Sequence, residues 1–368
     1  MWAAPFLLLL SVLVYQQRLA IIEGCFLNIF LYNSTKRFPA IDYRRLMMKK
    51  MLILASLAAV IFTGMPKAEA ETTRANLPYT DVAGHWAEKD IQQLYITEVI
   101  GDAKSFRPDD PITRAELITM FVKAKGVQPA AQEASPFADI PSGDWLAPYA
   151  ITAYRLGIVH GEYSEGKLVF KPDELVSREE MVSMLIRAMG DSGKVNQLPW
   201  SSAIQTLQQY PDGRSVEEAY QRSFAFALQN RLVNPYQDGN LQPHHEITRA
   251  EAATYTAIHL LEKGEEQKAP TGTPFTKKLT VETTAYTYPE DKAEALSYLE
   301  FPLRVGIVAV DPAVIPLGSH LYIEGYGYAV AADIGSAVKN NRVDLFFSSR
   351  VEALNHGIKD GVTVYVLD

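Results

Sequence analysis

The sequence predicts a multidomain chain in which an all-α module of three repeats is followed by a small all-β barrel. Three observations predict it. One eleven-residue pattern recurs three times between residues 106 and 251. A polar stretch at 262–278, rich in Pro, Gly and Thr and without any period, then reads as a linker. Beyond it the texture changes to short β-branched and aromatic runs separated by Asp-Pro, Pro-Leu-Gly and Gly-Tyr-Gly, the punctuation of an all-β unit.

The front of the chain must be set apart first. Residues 47–70 read MMKKMLILASLAAVIFTGMPKAEA: a basic start, an apolar run too short for a comfortable membrane span, then Ala68-Glu69-Ala70. That is the layout of a secretory signal peptide cleaved after Ala70, with a retained anchor as the alternative. Residues 1–46 stand where nothing should precede a signal peptide. Arg44-Arg45, just before Met47, fits a ribosome-binding sequence translated as protein, so 1–46 are expected to be a miscalled extension. The single cysteine, Cys25, lies there, leaving no disulfide, thiolate nucleophile or Cys-based metal site downstream. Taking the 8 basic and 3 acidic residues up to Ala70 from totals of 35 and 43 leaves a net charge of −13, which argues against nucleic acid as a partner.

The repeats are FRPDDPITRAE (106–116), FKPDELVSREE (170–180) and LQPHHEITRAE (241–251), with six residues from Pro to Arg in each. Upstream of the first two lies a shared element, Tyr79-Thr80-Asp81 with Trp86 and Phe137-Ala138-Asp139 with Trp145. Thr113-x-x-Glu116, Ser177-x-x-Glu180 and Thr248-x-x-Glu251 predict capping boxes that open a helix. Apolar residues follow at helical spacing, and Ile91-Leu94-Tyr95 and Ala150-Ala153-Tyr154 suit a preceding helix. A cap explains the Ser/Thr and the Glu but not the Arg. A cation in the first turn opposes the helix dipole at a cost of about 0.3–1 kcal/mol, so Arg114, Arg178 and Arg249 suggest an anion held there with free helix N–H groups.

At these residues the chain resembles the S-layer homology (SLH) family over roughly residues 79–262, with repeats at about 79–126, 137–190 and 210–262. The resemblance implies a pseudo-threefold bundle whose inter-repeat grooves bind secondary wall polysaccharide, commonly bearing pyruvylated sugars. It assigns the groove to Arg114, Arg178 and Arg249, to Trp86 and Trp145, and to Asp81 and Asp139. The third copy departs, with Val216 in the place of the Trp and Pro235 in the place of Gly161. It is therefore expected to have the weakest groove.

Three acids stand out in the C-terminal part. Asp311 precedes Pro312, and Asp333 precedes Ile334-Gly335; both contexts also suit ordinary turns. Asp344 lies between Val343 and Leu345-Phe346-Phe347. Buried there, it would hold its proton toward neutral pH; facing solvent on an alternating strand, it would not. From about residue 280 to 368 the chain resembles the three-aspartate (3D) domain, related to the lytic transglycosylase A family, and the Asp311–Asp333 and Asp333–Asp344 spacings fall on its pattern. The resemblance implies a double-psi β-barrel over 279–368 that acts on peptidoglycan, with Asp344 as catalytic acid and Asp333 and Asp311 in support. Ile334-Gly335-Ser336 stands where the family has Thr-Gly-Gly, and His356 where it has Trp; the histidine is expected at the surface.

These resemblances imply a secreted protein held non-covalently at the cell wall, without a membrane span in the mature chain. Its expected partners are peptidoglycan strands and secondary wall polysaccharide. The implied reaction is a metal-independent, cofactor-free cleavage between N-acetylmuramic acid and N-acetylglucosamine that yields a 1,6-anhydro product. His244-His245 read as loop residues of the third repeat, not metal ligands. The alternative is a non-catalytic wall-binding protein.

Overall fold

The computed structural model describes residues 77–129, 134–261, 269–288 and 295–368. The expectations for residues 1–70 lie outside the described residues, as does the part of the linker at 262–268.

The repeats are pairs of helices. Repeat one contributes α1 (Glu88–Ile96) and α2 (Arg114–Ala124), repeat two α3 (Ala147–Arg155) and α4 (Arg178–Ala188), and repeat three α7 (Glu218–Gln229) and α8 (Arg249–His259). Between repeats two and three run the short helices α5 (Ser192–Gln197) and α6 (Trp200–Leu207). The region is not all-α, as the sequence reading had it. Repeat two carries an antiparallel hairpin, β1 (Glu162–Ser164) with β2 (Lys167–Val169). Its two-residue loop, Glu165-Gly166, takes positive φ at both positions, as a tight hairpin of this twist requires.

The aliphatic residue of each motif closes the bundle. Ile112 donates its N–H to Ile247 O, Ile247 to Val176 O and Val176 to Ile112 O, at 3.0, 3.0 and 3.1 Å. All three side chains are fully buried, so the hydrogen-bonded triangle lies in the core with its polar groups satisfied.

The capping boxes form at two of three sites. Thr113 with Glu116, and Thr248 with Glu251, exchange both hydrogen bonds, whereas Ser177 only accepts from Glu180 N. The Glu180 carboxylate pairs with Arg114 instead.

The C-terminal strands β3 (Lys277–Tyr286), β4 (Ile307–Ala309), β5 (His320–Ile323), β6 (Gly327–Asp333), β7 (Arg342–Phe346) and β8 (Lys359–Val366) close a barrel in the order β3-β7-β4-β6-β5-β8. The pairs β3–β7 and β4–β6 are parallel, and the others antiparallel. A helix, α9 (Arg350–His356), joins β7 to β8. The interior is aliphatic, built from Val281, Val308, Leu321, Ala329, Val343 and Val364 among others.

The barrel is docked on the repeats. Tyr328, Tyr365 and Leu367 belong to the same apolar cluster as the helix cores. Tyr328 donates to Gln128 O at 2.8 Å, Arg155 to Tyr326 O at 3.2 Å, and Lys125 to Asp368 at 2.7 Å. Gly193 makes the contact close: a Cβ there would lie 2.1 Å from Leu317 O. The described part of the predicted linker packs too, with Thr273 fully buried against Tyr328.

Candidate functional site

Each motif arginine ties its own repeat to the next one. Arg114 lies over the Phe170 ring, donates to Phe170 O at 2.9 Å and pairs with Glu180. Arg249 does the same with Phe106, donating to its carbonyl at 2.7 Å and pairing with Glu116. Arg178, 2% exposed, stacks 4.3 Å over Tyr236 and donates to Asn234 O at 2.6 Å. Here Tyr236 takes up the partner glutamate, donating its hydroxyl to Glu251 at 2.7 Å.

The helix N–H groups that the sequence left free for an anion are occupied. Arg114 N and Ala115 N donate to Glu174 O and Pro172 O, Arg178 N and Glu179 N to His245 O and Pro243 O, and Arg249 N and Ala250 N to Asp110 O and Pro108 O. Carbonyls of the neighbouring repeat take the place of the anion, and with the glutamate they offset the cation at the helix start.

Asp81 and Asp139 are also bound to backbone. Asp81 accepts from Phe106 N and Arg107 N at 2.9 and 2.7 Å, and Asp139 from Phe170 N and Lys171 N at 2.8 and 2.6 Å. Burial pushes the Asp81 carboxyl up, but the bonds from Ser105, Phe106 and Arg107 outweigh it and bring it down to about 2. The clamped residues Arg107 and Lys171 hold φ of 57° and 58°, a conformation that side chains rarely adopt unaided. Sequence reasoning missed the third member. Asp212 accepts from Leu241 N and Gln242 N at 2.8 and 2.7 Å, and Gln242 again has positive φ. Tyr210-Pro211-Asp212 was the available signal, aligned with Tyr79-Thr80-Asp81.

Trp86 and Trp145 are both exposed, each 63% accessible. Trp86 of repeat one walls a cleft of about 430 Å³ with Arg178, Tyr236 and Tyr255. Trp145 of repeat two walls one of about 220 Å³ with Arg249, Tyr79 and Lys123. Every cleft thus draws its Trp and its Arg from different repeats. Val216, at the position of repeat three that matches these Trp, is 2% exposed core, and Arg249 shares its cleft with Trp145 of repeat two.

On the barrel, register brings two aspartates to either side of one residue. Ala309 of β4 pairs with Asp333 of β6 on one edge and with Asp344 of β7 on the other. Val343 and Leu345 fill the interior, so Asp344 lies on the outer face with Phe346. It is half-buried and accepts from Thr284 Oγ1 at 2.7 Å. Burial pushes its carboxyl up and Asp333 adds to this; Thr284 and Arg342 oppose the rise. Asp333 accepts from Tyr298 N, Ile334 N and Tyr286 Oη at 3.0, 3.0 and 3.1 Å. Burial and both aspartates raise the Tyr286 phenol far above its ordinary value, so it stays a donor. Asp311 is apart. It accepts from Ala313 N and Asn340 N at 3.0 and 2.8 Å, bonds that lower its carboxyl and fix a turn. Thr284 and Tyr286 were missed in the sequence, where only strand alternation marked them. His356 is half-buried, 3.0 Å from Thr283 Oγ1 and against the Phe347 ring.

Among the described residues, Glu179, Glu217 and His244 form a cluster with metal-ligand donor types, their donor atoms within 4.8 Å of one another. Glu179 already accepts from Glu217 N at 3.0 Å and lies 3.0 Å from His244 Nδ1.

The model of the S-layer homology domain matches residues 78–118, 136–182 and 209–253, and that of the 3D domain matches 306–368. The chain carries S-layer homology repeats and a 3D domain. Cell wall-binding protein YocH of Bacillus subtilis (strain 168) is 45% identical over 96 residues, 25% of this chain and 33% of that protein. Surface layer protein of Brevibacillus choshinensis is 30% identical over 192 residues, 51% of this chain and 17% of that one. S-layer protein EA1 of Bacillus anthracis is 26% identical over 224 residues, 60% of this chain and 24% of that one. The SLH–3D chain thus spans a third or less of each of these relatives. E. coli MltA with bound chitohexaose matches at a TM-score of 0.16 and 15% identity, over 33% of this chain and 35% of that one. The repeats and relatives point to a cell-surface protein, and no described helix is long and apolar enough to cross a membrane.

Proposed function

We propose that this SLH–3D protein is a secreted, wall-anchored lytic transglycosylase, held to secondary wall polysaccharide by its repeats and cutting peptidoglycan with its barrel. The observation that carries the catalytic part is Asp344, half-buried, raised by burial, and set across Ala309 from Asp333. A carboxyl so placed keeps its proton to higher pH than a free one, as a general acid must. The two parallel strand pairs of the closed barrel support the double-psi reading. For anchoring, the support is the two clefts in which an exposed Trp offers a sugar-stacking face beside an oriented Arg, the buried Arg178 in one and the half-buried Arg249 in the other.

In this reaction Asp344 gives its proton to the oxygen leaving C1 of N-acetylmuramic acid, and the C1–O bond breaks. The positive centre at C1 develops near the Asp333 carboxylate, whose orientation Tyr298 N, Ile334 N and Tyr286 fix in advance. The muramic 6-hydroxyl then closes on C1 and returns its proton to Asp344. One bond breaks and one forms, no water is consumed, and the tethered hydroxyl has the advantage of proximity. Asp311 serves the barrel by holding the turn after β4. Mass spectrometry of digested peptidoglycan tests the reading: 1,6-anhydromuropeptides are expected, and reducing-end muramic acid alone would refute it.

One observation favours a non-catalytic glycan binder. The exposed Ile334 puts an apolar side chain beside Asp333 where the 3D family has a hydroxyl. Inactivity on every wall preparation, with glycan binding intact, would select that reading.

A further inference from the structure

Just ahead of the 3D match at 306–368, residues 295–303 fold into a tight hairpin laid on the outer face of the barrel. Leu296 bridges Pro302, Ser297 N donates to Phe301 O at 2.8 Å, and Leu303 N donates to Ala295 O at 2.8 Å. The three-residue tip, Tyr298-Leu299-Glu300, ends on Glu300 at φ 62°, the left-handed closing residue that such a loop requires. Its underside is apolar: Leu299, Phe301 and Leu303 are buried with Val330, Ala332 and Phe346. Leu299 N fixes the tip to Ala332 O at 3.0 Å. Repeat two backs it, because the Phe301 ring packs 4.4 Å from that of His160 and a Cβ on Gly157 would lie 3.0 Å from the same ring. The hairpin is thus gripped by both the barrel and repeat two, and what it presents to solvent is fixed.

What it presents is apolar and adjoins the aspartate pair. Leu296, Tyr298 and the neighbouring Ile334 are 64%, 50% and 42% exposed. Tyr298 N and Ile334 N both donate to the same oxygen of Asp333, each at 3.0 Å, so two of these side chains spring from residues pinned to one carboxylate, and Leu296 lies two residues before Tyr298. Three side chains fall well short of the roughly 800 Å² per partner that a stable protein interface buries. Their extent suits a single sugar ring, whose C–H face stacks on an aromatic while its hydroxyl rim needs polar groups at the margin. Here the Tyr298 phenol and the Asp333 carboxylate provide that margin. A glycan strand that lays one bond over Asp344 must also carry its next units past the carboxylates, and the hairpin borders that path on the Asp333 side.

We propose that Tyr298, with Leu296 and Ile334, forms a stacking subsite for an uncharged, β-1,4-linked N-acetylhexosamine next to the reacting bond. The subsite rests on the proposed reading of the barrel as a glycan site, and it holds whether or not the barrel cuts. Ile334 then belongs to a binding surface, which gives its apolar side chain a use where the family's hydroxyl is absent.

The test is calorimetric titration of the full chain, carrying Asp344→Asn to prevent turnover, with the β-1,4-linked N-acetylglucosamine tetramer. Adding Tyr298→Ala should weaken binding of the tetramer about five- to tenfold, and Tyr298→Phe, which keeps the ring, should hold it within about twofold. Leu296→Ser and Ile334→Ser should each weaken it about threefold. Tyr298→Ala should melt within about 1 °C of its parent, because the side chain is half-exposed and the bond to Asp333 comes from the backbone. If it melts lower, the two Ser variants carry the comparison. The proposal is overturned if the parent does not bind the tetramer, or if the variants bind it as tightly as the parent does. Weaker binding of peptide-bearing peptidoglycan alone, with the tetramer unaffected, would also overturn it and assign the patch to the stem peptide. Release of 1,6-anhydromuropeptides by the wild type tests the catalytic reading separately: binding through Tyr298 without release keeps the subsite and removes the transglycosylase, and release with tetramer binding indifferent to Tyr298 does the reverse.

Discussion

Replacing Asp344 by Asn should separate chemistry from binding and from stability in one variant. Asn keeps an oxygen to accept from Thr284 Oγ1, which now bonds Asp344 at 2.7 Å, so the side chain should stay in place. What is lost is the proton given to the leaving oxygen and the base that takes it back. General acid–base catalysis contributes about 10²–10⁴-fold, equal to about 2.7–5.5 kcal/mol of barrier. Release of 1,6-anhydromuropeptides, followed by mass spectrometry, should slow by that factor while undigested glycan still binds. Stability should move the other way. The folded carboxyl is raised by burial and by Asp333, so its contribution is present at acid pH and is lost as pH climbs from the unfolded value through the folded one. Above that window Asp344→Asn should melt at or above wild type. Digestion at the wild-type rate would end the catalytic assignment, and a clearly lower melting temperature at neutral pH would end the account of a carboxyl strained by burial.

Thr284→Val removes the bond that holds Asp344 down, so the alkaline limb of the pH–rate profile should move to higher pH, and lost positioning worth about 1.4 kcal/mol should slow turnover roughly tenfold. In sedimentation with walls that retain their secondary polymer, Arg178→Ala and Arg249→Ala should weaken binding more than Arg114→Ala, because they share clefts with Trp86 and Trp145; the opposite order would refute the cross-repeat pairing. The stability contributed by Asp81, whose folded carboxyl lies near 2, is full above its unfolded value near 4 and is lost as pH falls toward 2. Asp81→Ala should therefore flatten the acid limb of the melting-temperature curve, and an unchanged limb would mean that the clamp contributes nothing.

The elements were legible because they are local. Thr113-x-x-Glu116 and Thr248-x-x-Glu251 announce helix starts from four consecutive residues, and the runs after Lys278 announce strands from their alternation. Partners were not legible, because they are set by closure. Reading each Arg with the Trp of its own repeat put the weak groove at Arg249, but the bundle pairs Arg249 with Trp145 and Arg178 with Trp86. The helix-dipole argument for the arginines failed similarly: nothing near Arg114 in the sequence says that Glu180, Glu174 and Pro172 will supply its acceptors. Asp344 was visible as a carboxylate in an apolar strand. Thr284 became its partner only through the parallel register of β3 with β7.

The hydrogen-bonded triangle of Ile112, Val176 and Ile247 makes the repeats a ring and not a row. In a stacked linear array each unit has a neighbour on two sides except at the ends, where a specialised cap hides the last apolar face, and stability accumulates unit by unit. Three units in a closed cycle have three junctions and no end. Loss of one unit breaks two junctions together and leaves the remaining pair with two uncovered faces. Unfolding should consequently be all-or-none across the three repeats, so a change at one motif, such as Ile247→Ala, should lower the melting of the whole ring instead of fraying its own repeat.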